Sequence, residues 1–207
     1  MQDGRDGRDG RDRRDGKAPA PARDGGWGGS ALEDGPEARA RLVCLRLLTH
    51  APQTRAQLAA ALSKRGIPAE IADNVLKRFT DVGLIDDAAF ARAWVESRHY
   101  SRGLAGRALT TELKQRGVAD DEIREAVAEL GPDAEVATAR ELVARKLAAT
   151  KGQPTQARVR RLTGMLARKG YPPGLAFRVI REAIGTEGAD ADLGEEPPFD
   201  EAYIDTE

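Results

Sequence analysis

The chain has 207 residues, 40% of them hydrophobic and 32% charged, with a single cysteine and a formal net charge of −1. One cysteine makes neither an internal disulfide nor a cysteine-based zinc site, which points to a reducing cytoplasm as the compartment. No run approaches the roughly 18 uninterrupted apolar residues of a membrane helix, and the polar start GRDGRDGRDRRDG lacks the apolar stretch of a secretory leader.

Residues 1–36 carry 7 Lys/Arg and 8 Asp/Glu among many Gly and Pro, with almost no large apolar side chains. Such a segment buries too little surface to offset its ordering entropy, so a disordered arm is expected. Its RDG repeats read as spacer, because a phosphate-cradling loop has to follow a strand and open a helix. Residues 37–185 hold 26 basic and 17 acidic residues, so the expected folded region is basic although the whole chain is nearly neutral.

Within that region a single phrase occurs three times: LSKRG at Leu62–Gly66, LKQRG at Leu113–Gly117 and LARKG at Leu166–Gly170. A leucine stands four residues before each, giving the pairs Leu58/Leu62, Leu109/Leu113 and Leu162/Leu166 on one helical face. Glycine then ends each helix, and the basic residues before it suit the negative end of the helix dipole. One apolar residue follows (Ile67, Val118, Tyr171), then a further helical stripe: Ile71/Val75/Phe79, Ile123/Val127/Leu130 and Leu175/Val179/Ala183. The middle copy is read with one extra turn residue, Asp120 or Asp121, serving as N-cap. Upstream of each pair lies another helical segment: Ala40–Leu48, Phe90–Arg98 and Glu135–Leu147.

The predicted fold is therefore all-α: three tandem three-helix repeats, at 37–85, 86–130 and 131–185. A unit so small has too little core to stand alone, so the units are expected to pack end to end into an elongated, curved body. Residues 186–207 hold nine acids and no base, and a disordered acidic tail is expected, with Phe199, Tyr203 and Ile204 as a short docking motif.

Few residues suggest chemistry. Asp86 and Asp87 precede AAFARAWVESR and read as an N-cap and a first-turn carboxylate. His50 and His99 stand in different units without partners at ligand spacing, so no metal site is predicted and both read as surface or capping residues. Cys44, inside LVCLRLL, reads as a small apolar filler. Phe90 and Trp94 share a face and are expected to fill the middle core, with Arg98 reaching its edge. No enzyme and no cofactor are predicted.

The stretch GLIDDAAFARAWVESR, followed by G-x-x-x-L-x-x-E-L-K-Q-R-G-V, resembles the central signature of the RecX family, regulators of the recombinase RecA. The resemblance spans about residues 37–185 and leaves both charged arms outside. It implies an all-helical modulator that lies along the RecA filament on DNA and restrains strand exchange, ATP hydrolysis and coprotease activity, with consequences for homologous recombination and the SOS response. RecA and its DNA filament are the implied partners, and a monomer is expected. A rival reading comes from TRAQLAAALSKRGIPAEIADNVLKRFTDVGLI, which resembles the helices of a winged-helix transcriptional regulator. A wing needs a β-hairpin next, whereas the chain continues with a helical pattern.

Formal charge divides into +4, −2 and +7 across the three units. The third is the natural polyanion-facing end. The filament- or DNA-contact candidates are Arg145, Lys146, Lys151, Arg158, Arg160, Arg161, Arg168 and Lys169, together with Arg98. Interleaved aromatics are lacking, so any DNA contact is expected to be electrostatic and independent of sequence. Nine acids tethered to a unit of +7 are also expected to fold back over it and compete with a bound polyanion at high effective concentration. Removing residues 186–207 should then strengthen binding to a fluorescent single-stranded oligonucleotide, most at low salt. Superimposable salt titrations of the full-length and 1–185 proteins would refute this.

Overall fold

The computed structural model describes residues 35–186. The readings made for the two arms fall outside that range, except that Gly35, Pro36 and Thr186 belong to helix ends. The described residues form nine α-helices, one short 3-10 turn and no strand. None of these helices is long and apolar enough to cross a membrane.

The first unit consists of α1 (Pro36–His50), α2 (Arg55–Ser63) and α3 (Ala69–Asp81). Proline opens α1, where its missing N–H costs nothing. Thr54 and Gln57 form a capping box at α2, each side chain taking the other's backbone N–H at 3.1 Å. The second unit is α4 (Asp87–Arg102), α5 (Gly106–Gln115) and α6 (Asp120–Ala128). Asp86 caps α4 as expected, accepting from Ala89 N at 2.7 Å. The third unit is α7 (Pro132–Leu147), the 3-10 turn Ala148–Thr150, α8 (Thr155–Arg168) and α9 (Pro173–Gly185). Where a winged-helix protein would place its hairpin, α4 begins.

The repeated phrase closes its helix identically each time. Gly66, Gly117 and Gly170 take φ of 71°, 76° and 85°, and the apolar residue after each returns its N–H to the phrase's leucine: Ile67 to Leu62, Val118 to Leu113 and Tyr171 to Leu166, at 3.1–3.2 Å. This closure satisfies carbonyls that the helix end would otherwise orphan. It also drives the apolar residue into the core, where Ile67, Val118 and Tyr171 are buried with their leucine pairs.

Three sequence readings are corrected. Val75, Phe79, Ile123 and Val179 are buried as read, but the first and third stripes open on Ala72 and Ala176, one residue past Ile71 and Leu175, so that Ala72, Ile123 and Ala176 each lie five residues past the closing apolar residue. The middle copy therefore has no extra turn residue; its N-cap is Ala119, matching Pro68 and Pro172, while Asp120 lies in the first turn and pairs with Lys114 at 3.1 Å. Alanines at core positions were too small to register as a stripe. Phe90 and Trp94 are only partly buried, packed against a middle core built on Ala91, Val95, Leu109 and Leu113.

Neighbouring units meet through one joint, built twice. The start of α2 is held by the second unit: Thr54 Oγ1 donates to Arg116 O at 2.6 Å and Arg55 N donates to Asp87 Oδ1 at 2.9 Å. The start of α5 is held by the third unit in the same way, with Ala105 N donating to Lys169 O at 2.8 Å and Gly106 N donating to Glu135 Oε1 at 2.6 Å. In both joints the phrase's glycine lies against an alanine of the clamped helix. A Cβ on Gly117 would collide with Ala56 Cβ, and one on Gly170 would sit 2.5 Å from Ala108 N. Gly66 ends the first copy with nothing within 4 Å of the equivalent point.

Gly66→Ala and Gly170→Ala separate the two contributions. Both introduce a Cβ at positive φ, at about 1–2 kcal/mol, but only Gly170→Ala also drives the joint apart, adding about 1–3 kcal/mol of overpacking. Urea unfolding should show the larger loss for Gly170→Ala; equal losses would mean that the close approach carries no energy.

Candidate functional site

The second and third units enclose a cleft where α4 ends. Gly103 stops α4 at φ 63°, returning its N–H to His99 O at 2.8 Å. Its bare α-carbon admits Leu142, whose Cδ1 lies 3.0 Å from where a Cβ would be. Lys169 Nζ donates to Arg102 O at 2.5 Å and Tyr171 hydroxyl to Gly103 O at 3.1 Å, so two side chains of the third unit close the end of α4. Burial and the charge of Glu135 push the Tyr171 phenol up to about 12, which keeps it a donor.

His99, read from sequence as a surface or capping residue, is instead buried in this joint at 9% exposure. Its Nδ1 lies 2.8 Å from Leu104 O, which can only accept, so that nitrogen carries a proton; Nε2 pairs with Thr138 Oγ1 at 2.8 Å. The sequence hid this role because Thr138 lies 39 positions away. Asp87 also exceeds its predicted first-turn role by gripping Arg55 N across the other joint. Burial pushes its carboxyl above the usual range, while the Arg55 N–H and charge pull it back.

The cleft has a volume of about 900 Å³ and is lined by four cations, Arg102, Arg145, Arg168 and Lys169, against one acid, Glu141. Tyr100 stands at its rim, 94% exposed. A smaller hollow of about 190 Å³ adjoins it through Met165 and Arg168, adding Lys146 and Arg161. Five of the nine predicted contact residues are thus brought together: Arg145, Lys146, Arg161, Arg168 and Lys169. Arg102 and Tyr100 join them unpredicted, from the unit whose net charge is negative. Only a tally by face, which needs the joint geometry, would have found them.

The other four candidates lie elsewhere. Lys151 and Arg160 are exposed outside both hollows. Arg158 is corrected to an internal residue, 7% exposed, with Nε donating to Thr150 Oγ1 at 3.1 Å. It sits four residues before Leu162, on the face that the leucine pair turns inward. Arg98 is committed to the middle unit, where its guanidinium lies 4.1 Å from the Trp94 ring centroid and 3.8 Å from Glu112. Arg116 stacks on the same ring at 3.6 Å, and Trp94 Nε1 donates to Glu112 Oε2 at 2.8 Å. That box holds the side chain of Arg116, whose carbonyl is the acceptor in the first joint. Cys44 is buried as expected, its thiol pushed up by burial. Among the described residues no three His, Cys, Asp or Glu side chains gather to hold a metal ion.

Three family models match in sequence order: the first three-helix domain of RecX over residues 40–79, the second over 86–127 and the third over 133–180. The chain is 60% identical over 174 residues to regulatory protein RecX of Thermobifida fusca, covering 84% of this chain and 94% of that one. It is 58% identical over 162 residues to regulatory protein RecX of Streptomyces coelicolor, covering 78% and 86%. The crystal structure of RecX from Lactobacillus salivarius superposes with a TM-score of 0.67 over 71% of this chain and 96% of that one, at 16% identity, a likeness of fold.

The sorting of candidates is testable by stability alone. Arg158→Ala removes a buried, hydrogen-bonded guanidinium and should cost about 1–3 kcal/mol. Arg168→Ala, on an exposed cleft wall, should stay within about 0.5 kcal/mol of the parent. Thermal unfolding of the two variants decides the assignment, and the opposite ranking would overturn it.

Proposed function

The chain belongs to the RecX family, and from that premise we propose that it binds RecA or its DNA filament in the cytoplasm and inhibits recombinase, ATPase and coprotease activities. In doing so it modulates homologous recombination and the SOS response. It acts by occupancy, as a monomer, and without catalysing a reaction. The observation that carries this reading is the cationic cleft between the second and third units. Four positive side chains converge there from α4, α7 and α8 or its closing turn, fixed by a joint rather than scattered on one helix. Such a surface attracts a polyanion or an acidic protein face. It offers charge without a set of base-reading groups, so its contact with DNA is independent of sequence.

The chain's three-unit length matters as much as its charge. A body that spans several subunits of a polymer restrains all of them at once. Titrating the purified protein into RecA strand-exchange and ATPase reactions should inhibit both below one copy per RecA protomer; unchanged activity at equimolar protein would refute the reading. Arg145→Glu combined with Arg168→Glu should relieve inhibition while leaving helicity intact.

A further inference from the structure

The joint is built twice and prepared a third time. Each occupied copy has the same receiving parts: a carboxylate in the first turn of a unit's first helix (Asp87, Glu135), the carbonyl just before the phrase's glycine (Arg116, Lys169), and the glycine itself. The first unit carries all three, its carboxylate one position further along the helix. Glu37 lies in the first turn of α1, Arg65 precedes Gly66, and a Cβ on Gly66 would meet nothing within 4 Å. The Glu37 side chain is 58% exposed, with Arg41 3.8 Å away.

The α1 surface beside these groups carries large aliphatic side chains where the later units carry alanine or glutamate. Aligning the buried pairs Ala40/Cys44 and Ala139/Val143 places Leu42 at the position of Glu141 and Arg46 at that of Arg145, both of which line the cleft at the occupied joint. Leu42 is 62% exposed and Leu45 45% exposed. Two large aliphatic side chains are therefore left in water on the helix that opens the array.

The occupied joints specify what fits. Each receives the start of an α-helix: the N-cap residue donates to the carbonyl, the first helical N–H donates to the carboxylate, and an alanine at the second or third position meets the glycine. Among the described residues a second copy of this chain has no such helix start to offer. The starts of α2 and α5 are engaged internally; those of α1, α3, α7, α8 and α9 carry proline, which has no N–H to donate, at the N-cap or first helical position; and those of α4 and α6 open on aspartates that Glu37 would repel.

We propose that the outer face of the first unit, formed by Glu37, Arg65 O, Gly66 and Leu42, is a docking site for a helix start of the recombinase, one with Ala, Gly or Ser at its second or third position. This rests on the regulatory reading above and adds a second contact, at the opposite end of the array from the third unit. The exposed first N–H groups of such a helix present partial positive charge to Glu37, and Leu42 covers the adjoining apolar surface.

The test places a photo-crosslinker beside Gly66. Lys64 is exposed and Cys44 is buried, so Lys64→Cys in the full chain can be labelled selectively with benzophenone maleimide. The labelled protein is irradiated on RecA filaments assembled on single-stranded DNA, with ATPase inhibition followed in the same samples. The expected result is a crosslink to one RecA subunit, mapped by mass spectrometry to a helix start with a small residue at the second or third position. Adding Glu37→Lys should lower its yield about tenfold by reversing the attraction for the helix's positive end. With inhibition intact, a crosslink to residues 1–34, to a second copy, to another kind of RecA segment, or to nothing would overturn the docking site while sparing the regulatory reading. Loss of inhibition by the unlabelled parent as well would overturn both.

Discussion

The start of a helix has N–H groups with no partner in their own helix, and in this protein the next unit supplies them. Arg55 N and Gly106 N reach Asp87 and Glu135, and the phrase's glycine removes the side chain that would hold the two backbones apart. Everything larger depends on that clamp. Each unit's core is a small, mostly aliphatic cluster, with Phe79 in the first and Tyr171 in the third, and the third unit's core includes Ala105 from the second. Joining buries polar backbone with its partners instead of leaving it at an interface, so the cost of orphaned groups and the gain of apolar burial favour the same assembly.

The second clamp also makes the cleft. Lys169 is held to the end of α4, Tyr171 closes over Gly103, and His99 bridges to Thr138, all at the last turn of α4 and the residue that follows it. Arg102, Arg145 and Arg168 stand around that rigid floor. A charged surface fixed in this way holds its geometry when a polymer docks, whereas the same arginines on independent units would have to be ordered on binding at an entropic cost.

Much of the fold could be read from the chain because its local signals repeat. Three leucine pairs ending in Gly66, Gly117 and Gly170 mark three helix ends, and the Asp86 cap followed its type. What escaped was everything decided between units. His99 looked idle because its partner Thr138 lies in another unit. Arg158 looked like surface charge because its residue type was read ahead of its place, four residues before Leu162 on the inward face. Trp94 looked like core because size was taken for burial, whereas two guanidiniums and a carboxylate hold it at the edge. The cleft was half legible for the same reason: charge per unit pointed to the third unit, but Arg102 comes from the second.

The joints make three small units into one cooperative body, and native-state hydrogen exchange at the clamped amides tests this most directly. The amides of Arg55, Ala105 and Gly106 should exchange only with an opening free energy close to that of core amides such as Leu113 and Val143, because they are freed when neighbouring units separate and separation unfolds both. Exchange of those three amides near the rate of an unstructured chain, with the cores still protected, would contradict the account and show the units to be independent.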